Sequence, residues 1–446
     1  MKKKLTAVSV AMALPLLCGN AMASPASEIP SNHWAIDAVQ QLALDGYIQD
    51  LDDSFRKNPI SREAMAQLLT KLPEQNIQGQ DKFLAEHLMV EFADELKQLG
   101  INKKYTDKVL FANKVQIRSQ AQWHADEGNS VRNDAHYATL QLNPYMIFDK
   151  NWSAKLRAEA NFNFDTGNFV TPGNYLTDGQ NVIPSTGFKH FYVQYDDNNV
   201  QLKGGIIPYK TIIDEGMMYD YHLAGGQVTV TNKVNITVTA GKNKRFDAIN
   251  DLSKVYANDS SISYGNYLGL ELYNNRHDRF TWGVGYHRWV NNDKTYEECG
   301  ATAINIYELS LGYKFDKNLR LHGAFSWTND PTAEHESGKA DEPVNHNTKR
   351  AYNIELDYKG AKLSQPGSFG LFLAYRQMGH YAVMAPTYDI AIHGKRGFEI
   401  GGEYVFAPNL LGSARYFHGQ KLPDETGPGE QMENYRGFLC ELKYFF

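Results

Sequence analysis

Charged side chains recur at every second position through the long C-terminal part of the chain, and they fall into two groups by sign. The basic group consists of Lys114, Arg118, Lys155, Arg157, Lys203 and Arg415. The acidic group includes Glu355, Asp357 and Glu399. Alternate residues of a β-strand share one face, so each group would line one wall of a common interior. Each residue taken singly is better explained as an ordinary solvated side chain. As groups, opposed charges on a water-filled interior would sort ions and orient dipolar solutes.

Residues 209–224 concentrate further charge in an unusual setting. Asp214, Glu215 and Asp220 lie among apolar residues that an exposed loop rarely holds, because those side chains would sit in water. Folded into the interior, this segment would pack its apolar side chains on the wall and narrow the passage with its carboxylates. We expect the carboxylates to face the basic group. The alternative is an external loop that is buried in a contact between subunits.

The elements that must position these charges are β-strands joined by two kinds of connection. Short polar turns occur at residues 149–151, 196–199, 231–233, 274–278, 316–318, 359–367 and 407–409. Longer loops alternate with them, at residues 125–134, 165–187, 208–224, 243–262, 291–302, 329–348, 379–394 and 419–432. Such turns join strands in pairs. The pattern therefore predicts a mainly β domain over residues 107–446, a 16-stranded antiparallel transmembrane β-barrel. A barrel of this size is too wide for side chains to fill, so water enters.

The last strand supports a closed barrel with an apolar outer face. Phe438, Cys440, Leu442, Tyr444 and Phe446 alternate with residues of the opposite face, and the chain ends on that aromatic. A period of two with one apolar face indicates a strand that is half exposed. This end resembles the assembly signal of outer-membrane proteins, which implies that Phe446 and Tyr444 act in insertion.

The N-terminal region divides into three parts. Residues 1–23 have the basic start, apolar stretch and small-residue exit of an export signal. Residues 24–75 contain two amphipathic helices, the first over residues 33–44 and the second capped by Ser61. Residues 76–106 form a linker with one helix over residues 83–99. That helix fits a trimeric stalk and a helix packed on the barrel or on the N-terminal unit equally well.

The N-terminal unit resembles a single S-layer-homology domain. The matching residues are His33-Trp34-Ala35, Ala38-Val39, Leu42, Asp45-Gly46, Phe55 and Ile60-Ser61-Arg62-Glu63. The resemblance implies that Trp34, Arg62 and Glu63 bind peptidoglycan or a polymer attached to it. On the residues alone, Trp34 is equally well a core residue. For Arg62 the alternative is a solvated residue at the helix start, but an arginine beside a helix N-terminus favours capture of a carboxylate or polyanion. The chain departs from the family at residues 50–54, where the usual glycine of the turn is missing.

Taken together, the unit and the barrel resemble the outer-membrane porins of the OmpM type, which carry such a domain. This resemblance implies a homotrimer in the outer membrane, with the N-terminal domain in the periplasm. It also implies two functions, passive diffusion of small hydrophilic solutes and ions, and attachment of the membrane to peptidoglycan. The alternative is a structural tether whose barrel conducts little.

Enzymatic chemistry has little support in the sequence. No Ser/His/Asp arrangement or metal-ligand spacing occurs among the residues predicted to face inward, where His287 and His322 are expected to be isolated, solvated histidines. We therefore expect no enzyme activity, no cofactor and no metal. Two of the three cysteines, Cys299 and Cys440, are predicted in a loop and on the outer face, which does not suggest a disulfide framework.

Overall fold

The computed structural model describes residues 28–29, 33–49, 51, 55, 60–75, 77, 79–101, 109–126, 129–149, 151–170, 186–197, 199–243, 265–291, 303–328, 349–422 and 433–446. The expected export signal and most of the turn at residues 50–54 lie outside these residues. No helix in the described ranges is long and apolar enough to cross a membrane.

The N-terminal part is helical. Its helices are α1 (Trp34–Leu44), α2 (Arg62–Leu69), α3 (Gly79–Glu91) and α4 (Ala93–Gln98), with a 3₁₀ turn at Leu72–Glu74 and a small strand pair, Glu28–Ile29 with Ile60–Ser61. The Ser61 hydroxyl accepts a hydrogen bond of 3.1 Å from the Ala64 N–H, which confirms the predicted cap of α2. Gly46, at φ +88°, ends the turn after α1 in a conformation that favours glycine.

One core joins all four helices. Val39 and Leu42 of α1, Met65 of α2 and Leu88 of α3 are fully buried in it. The prediction of a single helix over residues 83–99 is wrong, because the helix breaks at Phe92 (φ −104°, ψ 24°), whose ring is fully buried in the same core. The expected linker helix is therefore part of a helical unit, residues 28–101, rather than a free stalk.

Sixteen strands form a closed barrel, which confirms the predicted fold class. In order they are β1 (Val109–Phe111 and Lys114–Asp126), β2 (Asn129–Leu142 and Pro144–Ile147), β3 (Trp152–Asn163), β4 (Gly187–Asp196), β5 (Val200–Lys210), β6 (Asp220–Val230), β7 (Asn235–Asn243), β8 (Gly265–Tyr273), β9 (Phe280–Asn291), β10 (Ala303–Lys314), β11 (Leu319–Thr328), β12 (Arg350–Lys359), β13 (Phe369–Met378), β14 (Lys395–Ala407), β15 (Leu410–Lys421) and β16 (Asn434–Phe445). Asn168–Phe169 adds a short pairing to β3. The first predicted long loop, residues 125–134, is mostly strand, since β1 runs to Asp126 and β2 starts at Asn129.

Closure occurs where β16 pairs with β1, from Tyr435 opposite His124 to Phe445 opposite Lys114. Phe446 extends this seam, because its N–H and C=O both bond to the backbone of Asn113, at 3.1 and 3.2 Å. Inside the seam, the Glu441 carboxylate accepts hydrogen bonds from Gln116 and Arg118 of β1, at 2.7 and 2.8 Å. The backbone pairing and the inward side chains of the last strand thus both hold the barrel shut.

Side chains alternate across the barrel wall as the sequence predicts. On β16, Leu439 and Glu441 are buried inside, while Leu442 is 40% and Tyr444 is 49% exposed on the outer face. Outward aromatics close to the short turns share this exposure: Trp152, Tyr313, Tyr358 and Tyr404. These side chains form the belt of aromatic residues that is expected at a membrane boundary.

The helical unit buries three groups whose protonation depends on folding. Burial lowers the pKa of His33 from 6.5 to about 4 and that of His87 to about 3. Burial, and then the negative charge of Asp45, raise the pKa of Asp81 from 3.8 to about 7. As the pH falls below 6.5, the unfolded chain takes up protons that the folded unit cannot, so the histidines cost stability in acid. Asp81 acts in the opposite sense, and its contribution is lost as the pH rises from about 4 to about 7.

We predict that Asp81→Asn stabilises the helical unit at pH 8, by roughly 1–3 kcal/mol, and has little effect near pH 4. The substitution removes the charge that the folded unit must hold next to Asp45 at the higher pH. Hydrogen exchange of α1 and α3 peptides in the detergent-solubilised protein measures this. Asp94→Asn, at an exposed position, is the control. If both substitutions changed the hydrogen-exchange protection at pH 8 equally, the charge of Asp81 would not be the cause of the lost stability.

Candidate functional site

The segment between β5 and β6 lies inside the barrel. This first inner segment, residues 211–219, buries Ile213, Met217, Met218 and Tyr219 almost completely. Ile213 packs so closely on the inner face of β9 that a Cβ placed on Gly283 or Gly285 would lie within 3.0 Å of its side chain. Met218 and Tyr219 pack with residues of β8, β9 and β10, whereas Met217 packs with residues of β11, β12 and β13.

A buried polar network fixes this segment to the wall. Glu271 of β8 accepts hydrogen bonds from the N–H groups of Ile212 and Ile213, at 2.6 and 3.1 Å. Next to it, His287 joins the Tyr267 hydroxyl at 2.6 Å and the Glu308 carboxylate at 3.0 Å. His287 is 1% exposed, so the expectation that it is an isolated, solvated histidine is wrong. Polar groups buried this deeply are stable only with such partners.

The tip of the first inner segment is a tight turn that aims Glu215 into the lumen. Glu215 and Gly216 both have positive φ, 58° and 88°, and Asp214 stabilises the turn by accepting hydrogen bonds from the N–H groups of Gly216 and Met218. Glu215 forms ion pairs with Arg276, at 3.0 Å, and with Arg320. A non-glycine residue in this conformation is costly and is typical of functional sites.

The carboxylates of this segment do not meet the basic group that the sequence analysis expected. Glu215 pairs with Arg276 and Arg320 rather than with Arg118, Arg157 or Lys203. Asp214 is occupied by its own turn, and Asp220 accepts a hydrogen bond of 2.7 Å from the Thr387 hydroxyl. The cause is the path of the segment, which packs on β8 and β9 and reaches Arg320 of β11 instead of crossing to β1 and β3.

A second inner segment, residues 379–394 between β13 and β14, also fills the lumen. Val383, Met384 and Ile390 are fully buried. The two inner segments join by backbone bonds, from the N–H groups of Met384 and Ala385 to the Met218 carbonyl, at 2.9 and 3.1 Å. Like the first segment, it holds more apolar residues than an exposed loop would, and this feature could have predicted its inward path from the sequence.

Asp389 of the second inner segment meets the basic wall. It forms ion pairs with Arg118, at 2.9 Å, and with Arg415, at 3.6 Å. Beside it, Ile390 packs on Gly437 of β16. A loop carboxylate thus faces the basic group, but it comes from a loop that the sequence analysis placed outside.

The negative charge of the acidic group (Glu355, Asp357 and Glu399) is partly neutralised by an arginine that was not predicted from the sequence. Arg376 of β13 lies between Glu355, at 2.5 Å, and Glu399, and its guanidinium stacks over the Tyr388 ring at 4.1 Å. Asp357 forms ion pairs with Arg320 and with His322, which is therefore not isolated as expected. The ligand atoms of His322, Glu355 and Asp357 lie within 4.8 Å of one another. Because Arg320 and Arg376 already pair with these carboxylates, we assign no cation to them.

The basic wall contains two kinds of side chain. Arg118 and Arg157 are paired, with Glu441 at 2.7 Å and with Glu159 respectively. Lys114, Lys155 and Lys203 form no ion pair with any carboxylate that the structure describes. The Lys155 ammonium instead lies 4.7 Å from the ring of Tyr145, and Lys203 donates to Gln227 at 3.3 Å. Among the described residues, these lysines therefore give the wall of β1, β3 and β5 positive charge that no direct ion pair neutralises.

The three residues expected to bind the cell wall lie in α1 and α2 of the helical unit. The Arg62 guanidinium joins α2 to the next two helices, bonding Glu91 at 2.9 Å and Glu95 at 2.5 Å, and lies over the Phe92 ring. Trp34 stacks on His87 with 4.0 Å between ring centroids. Glu63 is exposed. Trp34 and Arg62 thus make contacts within the unit and are half-buried, and Glu63 alone of the three is exposed.

A cavity of about 1020 Å³ lies on the short-turn side of the inner segments. Its wall carries charges of both signs, including Glu215, Arg320, Asp357, Arg376 and Arg415, and α1 contributes Gln40 and Leu44. The inner segments and the cavity together bring charged groups of both signs into the lumen.

Comparisons with known proteins find no matching family model and no matching curated protein. Among solved structures, a multiple mutant of Rhodobacter blastica porin is 10% identical, covers 76% of this chain and all of its own, and superposes with a TM-score of 0.42. A second mutant of that porin gives 9% identity and a TM-score of 0.41, covering 75% of this chain and 100% of its own. Pseudomonas aeruginosa OpdQ gives 10% and 0.43, covering 76% of this chain and 97% of its own. The fold assignment rests on the strand pairing of this chain itself.

We predict that Glu271→Ala loosens the first inner segment. The N–H groups of Ile212 and Ile213, the second of them buried, would lose their acceptor, at up to about 1–3 kcal/mol for each unmet donor. Hydrogen exchange in residues 211–219 should rise, and any single-channel current should become noisier. Glu403→Ala, which removes a carboxylate from the cavity wall without touching either segment, is the control. Identical behaviour of the two variants would show that Glu271 does not hold the segment.

Proposed function

We propose that this protein is an outer-membrane porin for passive diffusion of small hydrophilic solutes and ions. The observation that carries the proposal is the outer surface of the barrel, where apolar side chains are exposed in every region of the wall. Examples around the wall are Ile117 at 47%, Phe191 at 52%, Leu311 at 51%, Leu373 at 50% and Ile400 at 58%. Soluble proteins rarely expose so large an apolar surface, whereas lipid-facing barrels require one.

The polar residues of the barrel interior support a water-filled channel, just as the apolar outer surface supports a location in a membrane. Inward positions carry charged and amide side chains, among them Gln116, Gln122, Asn161 and Glu399. Two inner segments narrow the lumen and leave a charged cavity on one side. The alternative, a barrel that conducts little, is favoured only by how much of the lumen these segments occupy. Conductance of the purified protein in planar bilayers decides between the two.

Attachment to peptidoglycan is the second part of the proposal. Its support is the position of the helical unit, which contacts the short-turn end of the barrel through α1 and α3. Outer-membrane barrels place short turns in the periplasm, which would put the unit on the side of the cell wall. Glu63 is exposed there for a ligand, and Arg62 and Trp34 would shape the surface beside it. A homotrimer completes this proposal, and native mass spectrometry would test it.

We predict that Lys155→Gln combined with Lys203→Gln shifts ion selectivity toward cations. Both ammonium groups lack a carboxylate partner among the described residues, so their charge acts on passing ions at close range. Reversal potentials across a salt gradient measure the shift. Lys242→Gln, at an exposed position on β7, is the control. An unchanged reversal potential in the double variant would place these lysines outside the conducting path.

We predict that the full chain sediments with purified peptidoglycan and that a variant lacking residues 24–101 does not. The deletion follows the common core of all four helices, because removing residues 24–75 alone would leave half of that core exposed. Equal sedimentation of the two proteins would remove attachment from the proposal and leave the channel untouched.

A further inference from the structure

The helical unit contacts the barrel rim at three separated places. In α1, the Asp37 carboxylate lies 2.5 Å from His277 in the turn between β8 and β9. The carbonyl of Leu44 accepts hydrogen bonds from Gln365, at 2.6 Å, and from Lys362, both in the turn between β12 and β13. In α3, His87 meets the Tyr145 hydroxyl of β2 at 3.0 Å.

These contacts surround the opening. Going around the sixteen strands, the contacts lie on β2, at the β8–β9 turn and at the β12–β13 turn. No two neighbouring contacts are separated by half of the barrel. A rigid body that touches a ring at three such places must extend across the ring. The helical unit therefore lies over the end of the lumen instead of beside it.

The unit also closes the cavity under the inner segments. Leu44, Ile48 and Leu51 of the unit line the same cavity as Glu215 and Tyr388 of the two segments. A solute that has passed the inner segments enters a space of about 1020 Å³ that the helical unit bounds on the far side.

One turn connects the helical unit to the inner segments. Arg276 forms an ion pair of 3.0 Å with Glu215 at the tip of the first inner segment, and the next residue, His277, binds Asp37 of α1. Lys314 holds this turn by donating to the carbonyls of Arg276 and His277, at 3.0 and 3.1 Å. A displacement of α1 would therefore reach the position of Glu215 through two successive residues.

The interface is of a kind that can open. Its contacts with the two turns are polar and lie at the rim, where water competes for each of them. Its apolar part is a small cluster in which Phe83 and Val90 pack on Leu110, Tyr145 and Ile147. Few buried apolar contacts and exposed polar ones are typical of elements that separate without unfolding.

We propose that the helical unit is a gate at this end of the channel: docked, it restricts passage between the cavity and the space beyond, and undocked, it lets the channel conduct fully. The inference rests on the proposed channel function. It does not depend on whether the unit also binds the cell wall.

The test uses the full chain with Cys299→Ser and Cys440→Ser. Asp37→Cys and His277→Cys are then linked by a short bis-methanethiosulfonate reagent, which dithiothreitol cleaves. We expect the linked protein to carry severalfold less current in planar bilayers than the same protein after cleavage. Each single-cysteine variant, treated with the same reagent, is the control and should not respond to cleavage.

A second set of variants acts without cross-linking. His277→Ala combined with Lys362→Ala and Gln365→Ala removes the polar contacts of α1 with both turns and should raise the conductance, whereas the control His418→Ala should not. Equal current before and after cleavage, from a channel that conducts, would overturn the gate and leave the porin proposal standing. Absence of current from every variant, including cleaved and undocked ones, would overturn the channel and the gate with it.

Discussion

The structure depends on one constraint, that a sheet exposed to lipid can have no free edge. In a bilayer, each unpaired backbone N–H or C=O costs several kcal/mol, so strands that cross it must close into a ring. Here β16 returns to β1, and the last residue of the chain bonds to Asn113 to complete the seam. Closing sixteen strands leaves an interior wider than side chains can fill. The inner segments, the buried network and the cavity are all consequences of how that interior is occupied.

The inner segments and the inward side chains place many charged groups close together in the lumen. Many of these groups form ion pairs with a neighbouring side chain of opposite charge. Arg376 lies between Glu355 and Glu399, Arg118 between Glu441 and Asp389. Such pairs are stable because each partner removes the cost of burying the other. The lysines on β1, β3 and β5, which form no ion pair with a described carboxylate, would then contribute to the field that a solute meets. Counting the lumen charges by sign does not predict this field, because the charges of an ion pair largely cancel at close range and those of an unpaired group do not.

Much of the barrel could be predicted from the sequence, because alternation along a strand is a local property. The inward path of residues 211–219 followed from the same reasoning, since apolar residues cannot remain in water. The partner of Glu215 could not be predicted in that way, because it depends on which wall the segment follows. The role of Arg376 depends on the register of three neighbouring strands, which no single strand reveals. Phe92 shows the same limit in the helical unit, where packing of one ring overrides a continuous helical pattern.

The position of the second inner segment offers the most direct test of this account. A Cβ placed on Gly437 would lie 3.4 Å from the Cβ of Ile390, close to the spacing of about 3.5–4.5 Å found in disulfides. Ile390→Cys with Gly437→Cys, in a background with Cys299→Ser and Cys440→Ser, should therefore form a disulfide during export, seen as a mobility shift that a reductant reverses. Ile390→Cys with Phe438→Cys, where the second cysteine faces outward, should not. Absence of the disulfide in the first pair, in a barrel that assembles normally, would place residues 379–394 outside the lumen and contradict the account.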